Sequence, residues 1–191
     1  MVEINKWIKV FRLHTLPLAF SSILMAAFLA YHSGHFQLLI FVLSLSTTLF
    51  LQILSNLAND YGDAQSGVDG PDRIGPMRGV YSGSITRYQM KIAITFCALF
   101  ALISGLLLVI YVFEDQWLNL LAYLTLGFGA IWAAINYTMG TNPYGYFGLG
   151  DLFVFIFFGL VGVFGGYYLF HHEIKIIFLL PAISCGLLSV G

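Results

Sequence analysis

A polytopic bundle of transmembrane α-helices is the fold this sequence predicts, and three observations predict it. The chain is 59% hydrophobic and only 9% charged, with a mean hydropathy of +0.88, whereas soluble domains carry about a quarter of their residues charged. Six continuous apolar runs approach or reach the roughly 17–25 residues that cross the hydrocarbon core as helix. The runs are unbroken, unlike the alternating strands of about ten residues that build a membrane barrel. The expected architecture is all-α, a single transmembrane domain over residues 1–191.

In chain order the runs cover Leu16–Tyr31, Phe36–Ala58, Ile92–Phe113, Trp117–Met139, Leu152–Phe170 and Ile174–Val190, the first and last being short. Connections after the first, third and fifth are tight, so those neighbours should pack antiparallel. Thr86-Arg-Tyr-Gln89 has the form of a capping box and should open the third helix. Trp7, Tyr31, Tyr111, Trp117 and the pair Tyr167–Tyr168 fall near span ends, where amphipathic rings collect at the membrane interface. Residues 1–30 have a basic start and an apolar run, but no small-x-small cleavage site follows, so they read as a first anchor.

Charge sets the expected orientation. Lys6, Lys9, Arg12, Arg73, Arg78, Arg87 and Lys91 lie on one side of the bundle and only Lys175 on the other. By the positive-inside rule the N-terminus and the loop between helices two and three face the cytoplasm, in the cell membrane. With a net charge of −1 there is no basic stripe to neutralise phosphates, which excludes nucleic acid as a partner. No segment marks a protein partner. Cys97 and Cys185 lie inside apolar runs and read as small packing residues.

One stretch stands apart from the apolar scaffold. Gln52–Arg78 holds four of the nine acidic residues (Asp60, Asp63, Asp69, Asp72) together with Arg73 and Arg78. Gln52, Asn56, Asn59, Asp60 and Asp63 follow helical spacing, a polar stripe with Ser55 beside it. Polar residues on a membrane span face the bundle interior or a water-filled cavity and mark function. Carboxylates at i and i+3 with amide oxygens nearby suit a hard cation, and Mg²⁺ is held by one or two carboxylates plus substrate phosphates. Gly62, Gly67, Gly70, Pro71, Gly75 and Pro76 should then break the helix, while Arg73 and Arg78 offer guanidinium forks for phosphate oxygens. The bland alternative is a solvated loop with charges at a helix end.

Asn142–Asp151 forms a second loop on the same side, with Gly145, Gly148 and Gly150 allowing close backbone approach. Tyr144, Tyr146 and Asp151 are candidates for the wall of a cavity mouth; a plain glycine-rich turn with Asp151 near a helix N-terminus fits the physics equally. His32, His35, His171 and His172 lie in the loops of the opposite side and read as solvated.

NDYGDAQSGVD resembles the first Asp-rich motif of the UbiA superfamily of intramembrane aromatic prenyltransferases. RLHTLPLAF, DGPDRIGPMRGVYSGSIT and NPYGYFGLGDLFVFIFFGLVGVFGGYY resemble the branch that prenylates 1,4-dihydroxy-2-naphthoate in menaquinone synthesis. The resemblance implies a nine-helix bundle with a cavity open to lipid, and Mg²⁺ holding a polyprenyl diphosphate between two Asp-rich motifs. It implies an allylic cation attacked by the aromatic ring with loss of the ring carboxylate, giving demethylmenaquinone. Carried over by position, Asp60 and Asp63 become catalytic metal ligands with Asp69 as a third. Arg73 and Arg78 become diphosphate contacts, with Asn56 and Asn59 as polar support.

The chain departs from that pattern at Gly191, which ends an apolar run before a second Asp-rich motif. The resemblance thus covers the first two-thirds of such an enzyme, six predicted helices of nine, and these residues alone are expected to show no prenyl transfer. Two other functions stay open. One is a prenyltransferase of the same superfamily with a different acceptor. The other is a cation-coupled transporter using Asp60 and Asp63, against which stands the lack of an internal repeat.

Overall fold

A computed structural model describes residues 2–68 and 78–190, with side chains from Ile4 onward. Asp69, Asp72 and Arg73 lie outside the described residues. The described elements are all helical. Helix α1 (Val2–Phe11) leads to α2 (Leu16–His32), α3 (Leu38–Ser66), α4 (Arg87–Val112) and α5 (Trp117–Asn136). Helix α6 (Gly150–His171) follows, and α7 (Leu179–Val190) is entered through a 3₁₀ turn at Ile176–Phe178. Among the described residues five stretches are long and apolar enough to cross a membrane, the first being Ile4–His32. The sixth predicted span, Ile174–Val190, forms a shorter apolar helix.

Helix α1 has no counterpart among the predicted elements, because it is too short and too basic to register as a span. Its signal is amphipathic spacing: Ile4, Ile8 and Phe11 share a face. Val10 is buried with Ile53, Leu54 and Leu57 of α3 and Met90 and Ile94 of α4. The chain then turns at Arg12, whose φ of 53° is left-handed. That turn brings the Thr15 hydroxyl back to the Arg12 carbonyl (2.9 Å), and Pro17 opens α2 without needing an amide partner.

Inside lipid, burying apolar surface gives little drive for helix association, so close packing and polar contacts decide it. Helix α2 buries Ala19, Ser22, Ala26 and Ala30 against a glycine-bearing face of α6. A Cβ on Gly162 would stand 2.8 Å from that of Ser22, and one on Gly166 2.9 Å from that of Ala26. Thr47 donates to Ser104 across α3 and α4 (3.0 Å). Phe155–Gly165 within α6 winds as π-helix, a form found at functional sites, and Tyr123 donates to the carbonyl of Gly165 at its end (2.7 Å).

Helix α3 runs to Ser66 and ends on the left-handed Gly67 (φ 74°). Its 29 residues measure about 44 Å at 1.5 Å each, longer than the hydrocarbon core of roughly 30 Å. The expected break at Gly62 does not occur. There the missing side chain admits the backbone of Thr138, with which a Cβ would collide. Helix α4 opens as predicted: Thr86 accepts from the Gln89 amide (3.2 Å) and Gln89 accepts from the Thr86 amide (2.9 Å).

At the other end of the bundle aromatic and polar rings close the structure. Phe113 packs on Tyr123 and Tyr168, and the rings of His35 and His171 lie 3.5 Å apart. Tyr31, Tyr111 and Trp117 are exposed as interface residues should be, but Tyr167 is buried beneath this cluster.

Candidate functional site

The Asp-rich end of α3, the segment after residue 78 and the loop between α5 and α6 meet at one place. Asp63 is 7% exposed and Arg78 8%, and Arg78 Nη2 donates to Asp63 Oδ2 at 2.6 Å. The Tyr146 hydroxyl donates to Asp63 Oδ1 (3.0 Å) and lies 2.9 Å from the Ser66 hydroxyl. Among the described residues, Arg78 Nε and Nη1 are buried with no hydrogen-bond partner. Such orphaned donors cost free energy unless something accepts from them. A guanidinium with spare, desolvated N–H groups is a site for an anion.

The two carboxylates predicted as an equivalent pair are not equivalent. Asp60 is 2% exposed. Its Oδ2 accepts from the amide of Gly79 (2.7 Å) and its Oδ1 from that of Val80 (3.0 Å). The turn so held is tied again by Ser82 and Ser84, whose hydroxyls both donate to the Gly79 carbonyl at 3.1 Å. A Cβ on Gly79 would meet Val10 of α1 at 2.6 Å. Asp60 therefore anchors the segment that delivers Arg78 to Asp63. The anchor needed Gly79 and Val80 brought back from nineteen and twenty residues away, which helical spacing does not reveal.

Asn59, one helical turn before Asp63, accepts from Thr138 (3.1 Å), and Thr138 also donates to the Ala58 carbonyl (3.1 Å). Among the described residues no three His, Cys, Asp or Glu side chains gather as for a metal ion. The oxygen donors present, Asp63 and Asn59, are nevertheless the kind a hard divalent cation takes.

Beside this cluster a cavity of ≈ 490 Å³ opens between α2, α3, α4, α5 and α6. Asn59, Asn56, Gln52 and Thr15 line it at the Asp-rich end, and Tyr123 and Leu108 toward the other. Phe153, Phe157 and Tyr144 line it as well, with Tyr144 stacked on Phe153 at 4.2 Å and donating to the Ala133 carbonyl. Of the second-loop candidates, Tyr144 is thus a cavity wall and Tyr146 a partner of Asp63. Asp151 is exposed in the first turn of α6, away from both. Sequence reading missed Thr15, Thr138 and the orphaned Ser22 and Ser44 hydroxyls, single hydroxyls whose meaning depends on which helix faces them.

The cavity ends at Asn59, one helical turn from Asp63 and its buried Arg78 partner, and known proteins resemble the chain that carries this arrangement. Residues 19–191 match the UbiA prenyltransferase family. The chain is 48% identical over 185 residues to the 1,4-dihydroxy-2-naphthoate octaprenyltransferase of Escherichia coli, covering 97% of this chain and 60% of that protein. It is 45% identical to the protein of that name from Haemophilus influenzae (98% and 61% covered) and 35% identical to that of Mycobacterium tuberculosis (99% and 62%). The chain therefore spans about three-fifths of the length of these relatives. No solved structure matches it. The chain belongs to the UbiA prenyltransferase family.

Proposed function

We propose that the protein transfers a polyprenyl group from polyprenyl diphosphate to 1,4-dihydroxy-2-naphthoate, the acceptor named in its relatives, yielding the hydroquinone form of demethylmenaquinone together with diphosphate and CO₂. The observation that carries this reading is Arg78, a buried guanidinium with two donors unpartnered among the described residues, paired with Asp63 one helical turn beyond Asn59 at the end of an apolar cavity. It suits the diphosphate, and the cavity suits the isoprenoid tail. Asp63 and Asn59 would hold Mg²⁺, with Asp69 as a further ligand and Arg73 as a second phosphate contact. Bound there, the ion would neutralise charge building on the leaving diphosphate.

In the reaction the bond from the prenyl C1 to the diphosphate oxygen breaks, and its electron pair leaves with the diphosphate. The aromatic ring supplies the pair for the new carbon–carbon bond, and loss of the ring carboxylate as CO₂ restores aromaticity. Arg78 receives the leaving charge at a desolvated site, where fixed donors act most strongly. Tyr146 orients Asp63, Asp60 holds the turn that carries Arg78, and the apolar walls keep water from the allylic cation. The excess of Lys and Arg on this side supports a cytoplasmic orientation of this end, in the cell membrane.

The test uses the full-length protein in liposomes with a polyprenyl diphosphate and the dihydroxynaphthoate. Prenylated product should form with Mg²⁺ and cease with EDTA. Arg78→Ala should raise the donor KM by about tenfold or more with the acceptor KM unchanged. No product from the wild type, or an unchanged donor KM in the variant, overturns the reading.

A further inference from the structure

A cluster deeper along α3 has chemistry opposite to that of Arg78. Thr15 Oγ1 donates its one proton to the Arg12 carbonyl (2.9 Å), so its lone pairs must accept. They accept from Gln52 Nε2 (3.1 Å) and Asn56 Nδ2 (3.0 Å). Asn56 Nδ2 also donates to the Phe11 carbonyl (3.0 Å). These bonds fix both amide orientations: the NH₂ groups turn to Thr15, and the carbonyl oxygens turn away from it. Neither Gln52 Oε1 nor Asn56 Oδ1 accepts from a described residue, and both residues line the cavity. The cavity thus meets two neutral acceptors at i and i+4, about 5–6 Å apart at the β-carbons.

From these bonds we infer that Gln52 and Asn56 bind the hydroxyl groups of an aromatic diol, the acceptor class of the proposed reaction, on which this inference rests. Lone pairs repel phosphate oxygens, and both Asn56 amide protons are already used, so the pair does not suit the diphosphate. It holds no carboxylate, so a divalent cation goes to Asp63 instead. Phenolic O–H groups are the complementary donors, and para-hydroxyls on one ring span a distance comparable to the amide spacing. Phe153 and Phe157 give a flat ring a face within the same cavity. Asn56 precedes Asp63 by seven residues, about 10 Å along the helix, which sets the ring beside the diphosphate site and not within it.

The test measures equilibrium binding of 1,4-dihydroxynaphthalene and 1-naphthol, kept reduced, to the full-length protein in nanodiscs. The wild type should prefer the diol by about five- to tenfold, the worth of one hydrogen bond. Gln52→Leu should abolish that preference without changing the prenyl diphosphate KM. Thr15→Val should abolish it too by freeing the amides to turn, whereas Thr15→Ser should retain it. Equal binding of the two probes by wild type, or a preference that survives Gln52→Leu, overturns the inference. A raised donor KM in Gln52→Leu with diol binding intact also overturns it, assigning the residue to the diphosphate. If the diol preference behaves as expected but no prenyl transfer occurs, the site stands and the proposed reaction falls.

Discussion

The two ends of the bundle treat polar side chains in opposite ways. At the Asp-rich end Asp63 and Arg78 are desolvated, and Arg78 keeps two donors unused. At the other end the polar groups satisfy one another within reach of solvent. His171 pairs with Glu173 (3.0 Å), Gln116 meets His172 (3.1 Å), and Asn119 donates to Tyr168 (3.2 Å). Burial, and secondly His171, lower the pKa of the His172 imidazole, which favours its neutral form. Both ends are rich in polar residues, yet among the described residues it is the first that leaves a buried charged group with open donors. Unspent donors in a dry place, and not polarity as such, separate a site from a seam.

The largest effect should come from breaking the desolvated pair. Asp63→Ala strands the Arg78 charge and is expected to cost about 3–5 kcal/mol of stability and to abolish prenyl transfer. Asp63→Ala combined with Arg78→Met should recover most of the stability but none of the activity. Thermal unfolding in detergent beside a turnover assay reads both, and full activity in either variant would remove Asp63 from the mechanism.

Asp60→Asn should fall in the middle. It weakens two bonds to a charged acceptor, each worth about 1.5–3 kcal/mol, and loosens the turn that carries Arg78. Faster hydrogen exchange at the Gly79 and Val80 amides and a raised prenyl diphosphate KM are expected, with the half-activating Mg²⁺ concentration unchanged. A shifted Mg²⁺ requirement with unchanged exchange would make Asp60 a metal ligand instead of an anchor.

The smallest effect belongs to the opposite rim. His171→Ala removes an ion pair whose Glu173 partner is 65% exposed, and such pairs contribute roughly 0–1 kcal/mol. Unfolding temperature should shift slightly and kcat/KM not at all. A large loss of turnover would show that the two ends are coupled and the contrast between them misplaced.

Much of this molecule is local and so was legible in one dimension. Apolar runs mark the spans because lipid requires every backbone group to be satisfied within a helix. The capping box at Thr86 and Gln89 is a contact across three residues, and the polar stripe from Gln52 to Asp63 follows from helical period alone. Charge clustering pointed to the end of the bundle where Asp63 and Arg78 are buried together. What failed was local reasoning applied to contacts made at a distance. Gly62 reads as a helix breaker until Thr138 packs against it, and α1 does not register as an element of its own until Val10 enters the core.

Sequence by itself determined the class of fold, the family and the stretch of chain proposed to carry the chemistry, since these rest on composition, period and motif. Only the tertiary structure decided the roles within that stretch. Asp60 and Asp63 are three residues apart on one helix, yet one meets the amides of a returning turn and the other a guanidinium. A side chain's task is set by what lies across from it. That partner arrives from elsewhere in the chain, positioned by helix packing that no spacing rule encodes.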